Sequence, residues 1–400
     1  MEERPDMDAV LKHLKKFFVN SDKLLWLFSI TAMVFSCMLI QSMQRSSEYN
    51  YLNSQILAIL VGVVLIIVLT VIDYNHILSL WFVWASIGLV LLILVFFFGI
   101  NVTGTDDTAW VTLPGGISFQ PSELVKVLYI ITLTKHMQML REREKLHTLT
   151  GVLTLLIHTA VPVVLIHMQG DDGTVLVFLF VFLMMAFIGG IQLRYFIIMF
   201  LVLAAGIPIL WNYVLNDEHK NRMTALFDNN GNVLSSYGWQ QYQGKISVSS
   251  GGMSGTGLGN GERVASGIVP EQENDFILTV AGEELGFIGC VLLLSILLLI
   301  IIKVLMNAFS ARDYAGKMLC VGVFAMIAIQ TVINVGMVLG LLPVIGITLP
   351  FFSSGGSSML SILIGIGLVQ SVYYHRSMKL ASSDGYLSKN RYKYQNYSQF

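Results

Sequence analysis

Residues 268–289 read IVPEQENDFILTVAGEELGFIG, a run of carboxylates driven into the start of an apolar stretch. Glu271, Glu273 and Asp275 close a glycine-rich segment, and Glu283 and Glu284 follow within the apolar sequence. On insertion scales a charge at bilayer depth costs about 2.5–3.5 kcal/mol, so acids in such a place are functional candidates by default. The chemistry open to them is acid–base work on a substrate at the membrane boundary. For Asp275 the competing explanation is helix capping, which Asp does well.

More polar residues gather near the ends of apolar segments. Glu123 and Lys126 are three apart, on one helical face, directly after Gln120-Pro121-Ser122. Pro121 suits a helix N-terminus and the two charges can neutralise each other, so a structural ion pair stands beside a substrate-binding role. Asp171 and Asp172 sit in QGDDGT, where capping is the plain explanation. Residues 340–360, GLLPVIGITLPFFSSGGSSML, set serines and glycines beside apolar sequence, and small residues let helices approach closely. Residues 212–275 carry Arg222, Tyr237, Trp239, Gln240, Tyr242 and Gln243, followed by SSGGMSGTGLGNG. Those glycines could lay backbone N–H groups against a phosphate. Their spacing fits neither GxxxxGK[ST] nor GxGxxG, and a flexible linker is the alternative. His158 and His167 fit no ligand spacing. There is no HExxH, CxxC or GxSxG, which leaves zinc and serine-hydrolase chemistry without support.

Composition dictates what must hold these groups. Apolar residues make up 55% of the 400 and charged residues 12%, against about 25% charged in soluble domains. With a mean hydropathy of +0.70, the chain is expected to be an all-α polytopic membrane protein. A net charge of −1 says nothing about nucleic acid, and no nucleic-acid partner is expected; Cys37, Cys290 and Cys320 lie in apolar runs that suggest neither disulfides nor a metal cluster. Ten segments reach the roughly 17–25 residues a span requires: about 24–42, 54–72, 79–99, 121–138, 151–167, 174–191, 193–211, 276–302, 316–340 and 351–374. No small-residue cleavage site follows the first, which is read as a retained span.

An even number of spans puts both termini on one side. With the termini inside, 17 of the 24 Lys and Arg fall in cytoplasmic pieces, and four of the five outer ones belong to one long loop, which orients the chain. The organisation is then a cytoplasmic basic segment (1–23), a transmembrane domain (24–376) and a polar cytoplasmic tail (377–400). One long extracellular loop (212–275) joins helices seven and eight. In the first segment Met7, Val10, Leu11, Leu14, Phe17 and Phe18 form an apolar stripe opposite Lys12, Lys15 and Lys16, as in a helix lying on an anionic leaflet. The acids, the Glu123/Lys126 pair and the long loop all belong to the outer half of the membrane. A transporter would place charges at the midplane of broken helices, often with an internal repeat, and no repeat is evident. Three readings stay open on the residues alone: an enzyme acting on a lipid-linked substrate at the outer leaflet, a lipid flippase, or a scaffold.

Five blocks, in order along residues 22–376, resemble the SEDS family (shape, elongation, division and sporulation), the RodA/FtsW/SpoVE-like group. WVTLPGGISFQPSELVK at 110–126 is similar to its W…QPSE…K block, and residues 169–174 to its QPDxGT. Gly238-Trp239-Gln240 with Gln243 and the following SGG resembles its GYQ…Q…SGG loop. Residues 269–286 match its PExxTDFI…EELG, followed by LPxxG…PFxSxGGSS at 342–358. There are departures: Gly170 replaces a Pro, Glu273-Asn274 a His-Thr pair and Ser354 a common Tyr, and Ala109 precedes Trp110 where a polar or basic residue is frequent. The VPEQ and PFFS sequences look more like the RodA (elongation) branch than the FtsW (division) branch.

The resemblance implies a peptidoglycan glycosyltransferase that polymerises lipid II at the outer face of the bacterial cytoplasmic membrane. Its partners would be a class B penicillin-binding protein and other elongation-machinery membrane proteins. It implies Asp275 as catalytic base in an inverting displacement of undecaprenyl pyrophosphate. Substrate-binding residues would be Glu123, Lys126, Asp171, Thr174, Arg222, Gln240, Gln243, Ser353 and Ser357, with Arg222, Lys126 and the loop glycines as candidates for the diphosphate. It leaves room for a divalent cation, Mg or Mn, at Asp275, with no complete ligand set visible. The alternatives are a lipid II flippase, or a division or sporulation paralogue with the same chemistry.

Overall fold

The structure, a computed structural model, describes residues 17–44, 50–100, 108–113, 117–209, 212, 217–224, 226 and 238–376. The apolar segments become ten long helices with shorter pieces between them. In chain order these are α1 (Lys23–Met43), α2 (Tyr51–Val71), the short α3 (Tyr74–Ser79) and α4 (Trp81–Phe98). Strands β1 (Gly99–Ile100), β2 (Trp110–Leu113) and β3 (Ile117–Phe119) precede α5 (Pro121–Glu142), α6 (Leu149–His167), α7 (Asp172–Gly189) and α8 (Leu193–Ile209). Then come α9 (Asp217–Thr224), α10 (Trp239–Ser250), α11 (Glu262–Ala265), α12 (Ile277–Phe309), α13 (Tyr314–Val338) and α14 (Gly356–His375). Among the described residues, eight helices are long and apolar enough to cross a membrane. The other two long ones are α5, which carries Glu123 and Lys126, and α8, which has 17 residues.

Burial separates the helices by role. Leu60, Val64, Phe97, Phe200, Phe287 and Leu298 stand exposed on α2, α4, α8 and α12, an apolar surface suited to lipid. Helices α13 and α14 are buried, and α14 packs against α2, while α5 wedges between α4, α13 and α14. The polar residues of α5 point into this packing, where Glu123, Lys126, Thr132 and Thr134 are all buried. At the opposite end from the long loop, Asp22 caps α1 through the N–H of Leu25 and accepts from Asn307 (2.8 Å) and Lys303 (3.1 Å) of α12. Nearby, Arg312 forks onto Asp73 at 2.7 and 2.8 Å. Because Lys and Arg concentrate there, this end is termed the basic face and the other the loop face.

Three features were not read from the sequence. The connection after α4 forms a small antiparallel sheet in the order β1-β2-β3, with Ile100 opposite Trp110 and Thr112 opposite Ser118. The last helix starts at Gly356 rather than 351, because Phe351 (φ 68°) and a turn precede it. The expected eighth span is interrupted at Gly286 (φ 67°, ψ −163°). Backbone groups freed inside a membrane protein need internal partners, and the glycine-rich segment supplies them. Thr256 and Gly257 donate to the carbonyls of Glu283 and Glu284, while Phe287 and Ile288 donate to the carbonyls of Gly252 and Met253. Those glycines are therefore a plug for a broken helix, and these amides are engaged rather than offered to a phosphate.

Close approach makes part of that plug intolerant of side chains. Gly255 has φ 78°, and a Cβ on it would collide with the carbonyl of Glu284, whereas Gly267 has φ 61° with open space around it. Gly255→Ala should cost about 3 kcal/mol of stability and Gly267→Ala about 1 kcal/mol. Thermal melts of the two purified variants check the order. Of the N-terminal stripe only Phe17 and Phe18 are described, Phe17 packing near Trp26 and Tyr374. The rest of the stripe and the tail from Ser377 lie outside the described residues.

Candidate active site

The turn before α12 is held from several directions. Asn334, fully buried on α13, donates at 2.7 Å to the carbonyls of both Asp275 and Ile347. Gln240 donates to the carbonyl of Pro270, Gln272 to that of Val264, and the N–H of Ser354 to that of Glu273 at 2.7 Å. Tyr51 of α2 donates its hydroxyl to Glu273 at 2.8 Å. Asp275 itself is 6% exposed, and its Oδ1 has no hydrogen-bond partner among the described residues. It does not cap α12: the N-cap is Phe276, with no side-chain cap bond. Burial, then the charges of Glu271 and Glu273, push its carboxyl up to about 8. A base with such a value sits near the operating pH, where proton transfer is most efficient.

A second polar cluster lies at the same end of the bundle. Asp171 caps α7 through the N–H of Thr174 (3.0 Å) and accepts from Gln120 (2.8 Å) and Ser122 (3.1 Å). Ser357 accepts from the N–H of Gln120. One helical turn deeper, Lys126 donates to Glu123 at 2.7 Å, and Ser361 donates to the other carboxylate oxygen. With its amide oriented to satisfy its neighbours, Gln330 accepts from Lys126 at 2.8 Å. The expected ion pair is thus present and enclosed, with Glu123 3% and Lys126 2% exposed.

The stretch 342–358 joins the two clusters. It gives the Ile347 carbonyl to Asn334, the Ser354 amide to Glu273 and the Ser357 hydroxyl to Gln120. Ser353 ties the stretch internally by accepting from the N–H of Leu349 at 2.7 Å. Arg222 reaches in from α9 to the carbonyl of Val344 at 3.3 Å. The pieces make a polar floor on the loop face that holds Asp275 as a buried, incompletely bonded acid; Glu283 and Glu284, inside α12, are likewise buried with carboxylate oxygens that have no partner among the described residues.

Known proteins decide the family. The chain matches the family described as cell cycle protein, FTSW_RODA_SPOVE, over residues 20–378. It belongs to the FtsW/RodA/SpoVE family. It is 30% identical over 364 residues to the peptidoglycan glycosyltransferase MrdB of Escherichia coli K12, covering 90% of this chain and 95% of that one. It is 32% identical over 342 residues to a probable peptidoglycan glycosyltransferase FtsW of a Geobacter species, covering 85% and 91%. Among solved structures, a chain of a peptidoglycan synthase complex that coordinates polymerization and crosslinking superposes with a TM-score of 0.75 at 25% identity, covering 89% and 98%. The Thermus thermophilus rod shape determining protein RodA gives 0.64 at 24%, covering 89% and 97%, a likeness of fold.

Two departures from the family pattern acquire physical content. Gly170 sits at φ 86°, which the proline usual in the FtsW/RodA/SpoVE family cannot adopt. Glu273, in place of a His, adds a negative neighbour to Asp275 and is steadied by Tyr51.

The nine expected substrate residues are distributed unevenly. Glu123, Lys126, Asp171, Thr174 and Ser357 share the second cluster, while Gln240 supports the Asp275 turn and Ser353 ties the 342–358 stretch internally. Gln243 instead accepts from Arg263, which also donates to Ser247, so it braces the segment after α10. Asn334, Gln330, Ser361 and Tyr51 were missed. Asn334 and Gln330 had a signal, being amides four apart inside an apolar span.

No three His, Cys, Asp or Glu side chains among the described residues come together as a metal-ligand set. Glu273 is bonded to Tyr51 and Glu271 to Asn274. The groups around Asp275 do not fit a divalent cation held by protein alone.

Proposed function

We infer that this chain is a peptidoglycan glycosyltransferase that polymerises lipid II, with Asp275 as general base. The observation that carries the mechanism is the buried carboxyl with an unpartnered oxygen, held by its backbone on the polar floor of the loop face. Asp275 takes the proton from the acceptor sugar's 4-hydroxyl as that oxygen attacks the donor's anomeric carbon. The new glycosidic bond forms as the bond to pyrophosphate breaks, with inversion and no covalent enzyme intermediate, by analogy with inverting glycosidases. The proton then passes from Asp275 to water, and undecaprenyl pyrophosphate leaves.

Of the earlier candidates for the diphosphate, Arg222 is favoured. It is half-buried beside the 342–358 stretch, where a guanidinium can fork onto phosphate oxygens. Lys126 is enclosed with Glu123, and the amides of Gly252, Gly255 and Gly257 are already bonded to the carbonyls of Ser249, Gly251 and Glu284. The Asp171 cluster acts by fixing the 342–358 stretch against α5 and α7. The loop face is external and both termini are cytoplasmic, in keeping with the basic-residue bias. The partner is a class B penicillin-binding protein, which crosslinks the strands, together with other elongation-machinery membrane proteins; the VPEQ and PFFS sequences favour the elongation branch.

Purified protein with its partner should convert lipid II to glycan strands, and a moenomycin-type inhibitor of classical glycosyltransferases should not block it. The flippase reading instead requires lipid II to cross liposome bilayers while no polymer forms, and that result would sink the polymerase assignment.

A further inference from the structure

On the basic face, far along α12 and α13 from the Asp275 turn, a cavity of about 560 Å³ opens between the α5–α6 turn, the end of α7, the end of α12 and the start of α13. Arg141, Arg312, Lys317 and His147 line it, with Asp313 as its one acid. Two of these charges are already committed. Arg312 is forked onto Asp73, and Asp313 caps α13 by accepting from the N–H of Gly316 at 2.8 Å. Arg141 and Lys317 make no ion pair among the described residues. The Arg141 guanidinium lies 4.2 Å over the Tyr314 ring, and the Lys317 ammonium lies 5.6 Å from the Phe309 ring.

The rest of the lining is largely apolar, apart from the Tyr314 hydroxyl, which donates to the Gly189 carbonyl. Ile188 and Ala308 form a wall, and Phe309 on the rim is 68% exposed. Two cations without acid partners, set beside an exposed apolar rim at a helix-bundle end, match a molecule with an anionic head and a hydrocarbon tail. Basic pockets between membrane helices recognise phosphate headgroups in this way. A soluble phosphate would satisfy the cations and leave the apolar rim unused.

We propose that this cavity binds the phosphate headgroup of an anionic phospholipid from the adjacent leaflet, with Arg141 and Lys317 on the phosphate and an acyl chain over Ile188 and Phe309. The site is separate from Asp275 and holds whatever reaction the loop face performs.

The test is native mass spectrometry of the full-length purified protein, exchanged into micelles containing phosphatidylglycerol or phosphatidylcholine. The wild type should retain phosphatidylglycerol and release phosphatidylcholine. The double variant Arg141→Gln/Lys317→Gln should bind phosphatidylglycerol about 30-fold more weakly, the effect of two interfacial charges. The charge-preserving swap Arg141→Lys/Lys317→Arg should keep it, as should Arg143→Gln, which removes an exposed charge outside the cavity. Equal retention of the two lipids by the wild type overturns the proposal without any variant. Unchanged binding in the double variant overturns it as well. Millimolar inorganic phosphate should leave the lipid in place; displacement by phosphate would assign the cavity to a soluble anion instead.

Discussion

Asp275→Asn should reduce lipid II polymerisation by about 10²–10⁴-fold, the range a positioned general base contributes, while expression and partner binding survive. The amide keeps the size of the side chain but cannot take a proton. The turn itself should persist, because Asn334 holds it through the Asp275 carbonyl, not the carboxyl. A helix-capping role predicts no loss, since Asn caps as well as Asp; Phe276 is the N-cap in any case. Stability should move the other way. The folded carboxyl titrates near 8, above its unfolded value, so its contribution to stability is complete in acid and is lost as pH rises toward 8. Asn carries no such loss, so the variant's advantage in melting temperature should widen from pH 5 to about pH 8. Undiminished polymerisation by Asp275→Asn would end the assignment.

Lys126→Ala should be destabilising by about 3–5 kcal/mol, because it leaves Glu123 as a buried carboxylate without its cation. The double change Glu123→Gln/Lys126→Gln should be milder, since Ser361 and Gln330 are neutral polar groups able to bond to amides. The enclosed pair thus serves to fix α5 against α13 and α14 beneath the Asp171 cluster. Urea or thermal unfolding in detergent, run beside the polymerisation assay, separates the outcomes. Normal folding with equal loss of activity in both variants would place the pair on the substrate instead.

What was legible in the sequence follows from what a bilayer demands. Hydrocarbon thickness fixes the length of an apolar run, so all ten long helices could be located, even α5, whose buried charges break its hydropathy. The Glu123/Lys126 contact was legible because three residues bring side chains onto one helical face. The interruption at Gly286 was not, because the three glycines of AGEELGFIG weaken a helix without showing which of them breaks it, and only the tertiary contact with the 251–257 plug compensates the lost bonds. For the same reason the plug glycines suggested a phosphate cradle: glycine content shows that amides can be approached, not which carbonyl approaches them. The support of the Asp275 turn by Asn334, Tyr51 and Ser354 spans up to 222 residues of chain and has no local pattern. Gly170 was legible only as a departure, and its φ of 86° explains why glycine suits this backbone.

In this mechanism a carboxyl raised by burial and by its acidic neighbours accepts the proton in glycan synthesis. The dependence of polymerisation kcat/KM on pH measures this directly, since it reports the ionisation of the free enzyme's essential base. The rate should climb about tenfold per pH unit below neutrality and level off near pH 8. In Glu273→Gln, where one negative neighbour is gone, the plateau should remain and the inflection should move to lower pH. A wild-type profile that stays flat between about pH 6 and 9, or an inflection unmoved by Glu273→Gln, would contradict the account.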